Sequence, residues 1–237
     1  MPFTLEEEGH PAHGNWLRDV VFGLNDGLVS NLALVAGVAA AGAPPPIVVL
    51  AGVSGLVAGA SSMGIGAYIS EKSQREFHQS ERRREEEEIT IFPERERAEV
   101  RNIYRAKGLE GELLERVVDR LTADREQWVK VMMEEELNLL ENETHPGVDG
   151  LVLGGSFALG AVVPLVPFTF LTTTVGLTTA LVFSVLALFV VGAGRSRYTR
   201  RSPLRGGLEM VLAGGAAAGI AWGLVRLLGL GHVAAGL

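Results

Sequence analysis

Glu85 and Glu88 stand three residues apart, as do Glu96 and Glu99, a spacing that puts both members of a pair on one helix face. Each pair can close on one cation. Met132 and Met133 come four and three residues before Glu136, so in an α-helix at least one thioether lies a turn from that carboxylate. Carboxylates joined by a thioether suit borderline divalent ions such as iron or manganese rather than calcium or magnesium alone. A plainer reading stands beside this one. Glu85 to Glu88 is a carboxylate run after Arg82, Arg83 and Arg84, and such runs form solvated helix faces laced with i to i+4 ion pairs. Paired methionines serve equally as core contacts.

The chain has no Cys, which removes disulfides and thiolate ligands together. Any metal must be held by oxygen, imidazole or thioether. The histidines are scattered, with His10 and His13 near the start, His78 and His145 around the charged stretch and His232 near the end. They form no metal-binding spacing, which leaves His78 at most an accessory ligand. The net charge of -7 is concentrated in a leader, one insert and one loop, so it says little about a partner. No basic face with interleaved aromatics exists, and nucleic acid is not an expected partner.

The elements that position these residues follow from hydropathy. The charged insert, about 75 residues, separates two Gly-rich tracts without charge, 27–70 and 150–194. A bilayer core needs about 20 apolar residues per helix, so each tract can cross twice as a helical hairpin. Pro44, Pro45 and Pro46 mark the first turn, and Pro164 and Pro167 the second. A fifth span is expected over 208–228. The fold class is therefore all-α: a polytopic membrane protein with five transmembrane helices. Its parts are a cytoplasmic leader (1–14), spans one and two (15–70), a helical metal-binding insert (71–147), spans three and four (148–195), and a basic loop with span five (196–237).

The first apolar stretch runs past the length of a secretory core and is expected to stay in the membrane. Arg195, Arg197, Arg200, Arg201 and Arg205 crowd the connection before span five, which places that loop, the amino terminus and the insert in the cytoplasm. Gly52, Gly55 and Gly59 share a face of span two and are expected to let backbones approach. No breaker follows until Pro93, so span two should continue into the insert as one long helix. Further helices are expected from Pro93 to the stop at Lys107-Gly108, over 110–121 and over 123–143. The insert's apolar content is modest, and dimerisation or metal would help it.

Within the membrane, Asp26 in Asn25-Asp26-Gly27 is an ionisable group in an apolar span, expensive unless it serves a pathway or finds a partner. Met63 in Ser61-Ser62-Met63-Gly64 could face it as a soft ligand. The alternatives are hydration of Asp26 near the interface and simple packing of Met63. Arg18 and Asp19 are interfacial.

As a set, the run Arg18 to Leu28, Ser62-Met63-Gly64, the acidic insert with Met132-Met133 and Glu136, and Pro164-Leu165-Val166-Pro167-Phe168 resemble the vacuolar iron transporter family, in order and over nearly the whole chain from Asn15. The resemblance implies a five-span homodimer that exports ferrous iron, and often manganese, from the cytoplasm in exchange for protons. It also implies metal capture by Glu85, Glu88, Glu96, Glu99, Met132, Met133 and Glu136, with Asp26 and Met63 in the transport pathway. Fe2+ or Mn2+ would be bound and carried, with no permanent cofactor and no enzymatic activity. The chain departs from the family pattern where a span-two glutamate gives way to Gly55 and an acidic position before Arg18 to Asn15.

Two other functional classes stand beside transport. A membrane-tethered metal-binding or sensing module without transport fits the Gly55 and Asn15 departures. A carboxylate-bridged di-iron enzyme would want Glu-x-x-His on two helices, which the insert lacks. The compact loops and lack of organelle signals point to a prokaryotic inner membrane.

Overall fold

The computed structural model describes residues 14–139, 145–198 and 201–227. Every regular element among them is helical. His10, His13, Arg200 and His232 lie outside the described residues, as do the side chains of Asn15 and Arg226. Contacts divide the chain into two units, Met1–Tyr68 with Pro146–Leu237, and Ile69–His145.

The first unit contains α1 (Gly14–Ala40), the opening half of α2 (Pro45–Ile91), α6 (Pro146–Val162), α7 (Val166–Phe170), α8 (Thr173–Tyr198) and α9 (Pro203–Leu227). Among the described residues, α1, α2 and α8 are long and apolar enough to cross a membrane, and α6 is a shorter apolar helix of 17 residues. Prolines open α2, α6 and α9, where the first turn has no use for an N–H. The expected turn at Pro164 and Pro167 is more elaborate than a hairpin bend. It contains the single-turn α7, with Pro167 in its first turn.

Leu32, Val35 and Ala39 of α1 pack with Val48 of α2, Leu165, Phe168 of α7 and Ala180 of α8. The Thr173 hydroxyl donates to the Ala43 carbonyl at 3.1 Å and ties the start of α8 to the α1–α2 connection. The glycine expectation is corrected in its position. Gly52, Gly55 and Gly59 receive side chains, of Leu165, Leu34 and Phe157 respectively. Backbones approach elsewhere: a Cβ on Gly23 would stand 2.7 Å from the Leu153 carbonyl oxygen, and one on Gly154 2.7 Å from that of Ala60. Side chains as small as hydrogen are what allow that approach.

The second unit is built on the closing half of α2, which runs unbroken to Ile91 before Pro93 starts α3 (Pro93–Ala106). Lys107 caps α3, and Gly108 follows at φ +94°, a left-handed turn that glycine takes without strain. α4 (Gly111–Thr122) and α5 (Arg125–Val131) follow, α5 capped by the Asp124 carboxylate accepting from the Gln127 N–H at 2.9 Å. Ile89, Val100, Leu114, Val118, Val129, Val131 and Met132 form its apolar core. Arg101 grips Glu115 with two bonds, 2.7 and 2.9 Å, and Arg97 pairs with Asp119, joining α3 to α4.

The helix expected over 123–143 does not run that far. From Met132 to Glu136 the chain winds as a π-helix, with the Leu137 N–H donating to the Met132 carbonyl. Asn138 then takes φ +52°, and the Leu139 N–H closes on the Met133 carbonyl at 2.8 Å. A left-handed asparagine ends the helix here without glycine or proline.

Candidate metal centre

Five of the seven insert residues singled out in the sequence converge. Glu85 and Glu88 come from α2, Glu96 and Glu99 from α3, and Glu136 from the π-helical segment. Carboxylate oxygens of Glu85, Glu88 and Glu96 lie within 4.8 Å of one another, and so do those of Glu96, Glu99 and Glu136. One cation with oxygen contacts of about 2.1–2.5 Å can bridge that spread. Glu96 belongs to both triads.

Ordinary surface acids do not look like this. Glu96 is fully buried and Glu85 is 4% exposed. Both Glu96 oxygens and Oε2 of Glu85 are buried with no hydrogen-bond partner among the described residues. Carboxylates are almost never buried unless paired. Burial first, then the charges of Glu136, Glu96 and Glu88, push the Glu85 pKa up to about 7. Burial also leads the rise at Glu96, reinforced by Glu99, Glu88 and Glu136. Glu136 rises for the same reason, helped by Glu99 and Glu88. The fold holds like charges together, and a divalent cation is the species that would relieve them.

The i to i+4 ion pairs of the plainer reading are present too. Arg84 Nε meets Glu88 at 3.0 Å, and Arg95 Nε meets Glu99 at 3.1 Å. Each engages Oε1 of its glutamate. The run 85–88 is therefore both things at once, with Glu85 turned inward and Glu86 paired outward to Arg82 at 3.2 Å.

The methionines sit differently. Met132 is fully buried in the apolar cluster, and Met133 packs against it. Asp26 and Met63 belong to the other unit, each half-buried, on α1 and α2. The Asp26 carbonyl accepts from the Ser30 hydroxyl at 2.5 Å. Beside it, Asn25 Oδ1 is buried without a partner among the described residues. Arg18 Nε and Asp19 pair at 3.1 Å.

The supports of the centre were only partly legible in the sequence. Arg84 and Arg95 were legible from i to i+4 spacing. Arg125 was not: its guanidinium donates to the Glu86 carbonyl and the Thr90 hydroxyl, both at 2.7 Å, fastening the end of α2 to the start of α5. The π-helical winding that sets the direction of Glu136 has no simple sequence signal.

Comparison with known proteins bears on what this cluster serves. A family model described as the VIT family matches residues 17–226. Vacuolar iron transporter 1 of Oryza sativa subsp. japonica is 34% identical over 221 residues, covering 92% of this chain and 88% of the relative. Vacuolar iron transporter 1 of Arabidopsis thaliana is 33% identical over 223 residues, covering 93% and 89%. A vacuolar iron transporter of Toxoplasma gondii (strain ATCC 50861 / VEG) is 32% identical over 236 residues, covering 94% and 78%.

Proposed function

We infer from membership of the VIT family, to which this chain belongs, that it moves divalent metal across a membrane. Its relatives are named as transporters, and its role is not enzymatic. The finer reading is export of Fe2+, and with it Mn2+, from the cytoplasm in exchange for protons, by a five-span homodimer.

The observation that carries the reading is the buried pair Glu85 and Glu96 at the heart of two overlapping carboxylate triads, with both Glu96 oxygens and Glu85 Oε2 lacking a hydrogen-bond partner among the described residues. Such a cluster collects cations before a membrane step. Because a carboxylate must lose its proton to bind metal, and Glu85 holds its proton to about pH 7, loading releases protons at neutral pH. That exchange supports proton coupling. Met133, at the edge of the core, is the better placed of the two methionines to lend sulfur, since Met132 is enclosed. Asp26 and Met63 supply a carboxylate and a thioether on the spans, in keeping with the cost of an intramembrane carboxylate. The membrane is part of the proposal: the relatives are named for the vacuole, while the compact loops are the ground for a prokaryotic inner membrane with the insert facing the cytoplasm.

Proteoliposomes holding the purified protein test this. Fe2+ and Mn2+ flux should follow an imposed pH gradient, vanish in Asp26→Ala and weaken in Glu136→Ala. Metal binding without flux would leave a tethered metal buffer. Flux indifferent to the gradient would remove antiport.

A further inference from the structure

One polar atom in the membrane unit has no role in the reading above. Asn31, deep within α1, is 2% exposed. Its amide nitrogen donates to the Ala161 carbonyl at 2.7 Å, in the last turn of α6. A carbonyl can only accept, so this bond fixes which end of the amide is which. Oδ1 is turned away from Ala161, buried, and without a partner among the described residues. It lies 3.1 Å from the point a Cβ on Gly55 would occupy. The oxygen therefore faces a glycine notch on α2. Leu34 covers the notch, its Cδ2 standing 2.5 Å from that same point, and Leu34 is 39% exposed, so its end can swing clear.

The nitrogen has a structural explanation. α6 stops at Val162, just before Pro164, whose ring offers no N–H to the turn behind it. Asn31 supplies the missing donor. The oxygen has no such explanation, since buried acceptors almost always find a partner and an orphan in an apolar interior is costly. Helix ends stopped within the membrane are also where transporters gather ion-binding oxygens.

We propose that Asn31 Oδ1 is a neutral oxygen ligand for the transported cation, with Leu34 as its movable cover. The proposal rests on the transport reading and adds a residue to it. An amide oxygen suits the harder of two competing first-row ions, whereas a thioether such as Met63 suits the softer. Asn31 thereby shifts preference toward Mn2+ relative to Fe2+.

Initial rates of Mn2+ and Fe2+ uptake into proteoliposomes, measured against metal concentration for the full chain, test this in three variants. Gly55→Ala sets a methyl group over Oδ1 and leaves the bond to Ala161 intact. Asn31→Leu removes oxygen and donor together. Gly37→Ala is the control, because a Cβ there meets nothing within 4 Å among the described residues. Loss of one contact to a charged ion raises KM on the order of tenfold. Gly55→Ala and Asn31→Leu should both show that rise for Mn2+, with a smaller one for Fe2+, while Gly37→Ala keeps wild-type values. A purely structural Asn31 would leave the Mn2+ to Fe2+ ratio unmoved. If Asn31→Leu does not assemble, Gly55→Ala decides. Wild-type KM and ion ratio in folded Gly55→Ala overturn the proposal alone. A wild type that carries neither ion overturns the transport reading and this proposal with it.

Discussion

Glu85→Gln isolates the cost of gathering carboxylates in a buried cluster. The Glu85 pKa stands at about 7 in the fold, raised from 4.5 chiefly by burial. Between those two values the folded protein holds a proton that the unfolded chain has released, so stability falls as pH rises through this window and stays low above it. Each pKa unit is worth about 1.4 kcal/mol, which makes the full loss about 3 kcal/mol. Solvent at the rim of the cluster screens part of it, leaving about 2 kcal/mol. Glutamine keeps the shape and removes the charge. Without metal, Glu85→Gln should therefore make the unit of residues 69–145 about 2 kcal/mol more stable than wild type at pH 8, with the difference gone at pH 4. Hydrogen exchange followed by mass spectrometry on the full chain reads that unit separately from the spans. Saturating Mn2+ at pH 8 should narrow or reverse the difference, since the variant keeps only the triad of Glu96, Glu99 and Glu136, and a ligand at a hundred times its Kd on the triad it lacks adds about 2.7 kcal/mol to wild type alone. Equal protection of the two proteins at pH 8 without metal would refute the reasoning.

Glu96→Gln strikes both triads, so calorimetric titration with Mn2+ should show the centre's binding abolished, while Glu85→Gln and Glu136→Gln each keep the triad that omits the replaced residue. Asn138→Ala should lower the stability of the second unit by about 1–2 kcal/mol and Asn138→Gly should not, because only the former is strained at φ +52°; denaturant unfolding compares them. Arg125→Ala removes two bonds at the end of α2 and should cost about 1–2 kcal/mol, seen as faster exchange across residues 82–91 and weaker metal binding through Glu85 and Glu88.

Local signals carried most of the helix boundaries. Pro45, Pro93 and Gly108 act on their own turns, so they punctuate the sequence where they punctuate the fold. The misplaced end near residue 143 has the opposite cause: Asn138 is one asparagine among polar neighbours, and nothing local marks it as left-handed. The glycines of α2 show a second limit. Their spacing reveals a small-residue face but not what fills it, and here Leu165, Leu34 and Phe157 do. Asn31 was overlooked because a lone amide in an apolar span is conspicuous only once its two ends are seen to face different helices.

The carboxylate cluster was legible in pairs but not as a whole. Spacing of three residues reports on one helix, so it yields Glu85 with Glu88 and Glu96 with Glu99. It is silent on Glu96 meeting both Glu85 and Glu136, which depends on Pro93 turning α3 back beside α2 and on the winding after Val131. A π-helix turns each residue through less than an α-helix does, so Glu136 leaves the backbone in a direction the α-helical count from Met132 does not give. Met132 goes into the core and Glu136 to the carboxylates within the same five residues. The apolar cluster that holds Met132 therefore also sets the direction of Glu136. Packing and the carboxylate cluster share one element there, and a deletion of Glu134 or Glu135 that restored α-helical winding would be felt at the carboxylates rather than in the core.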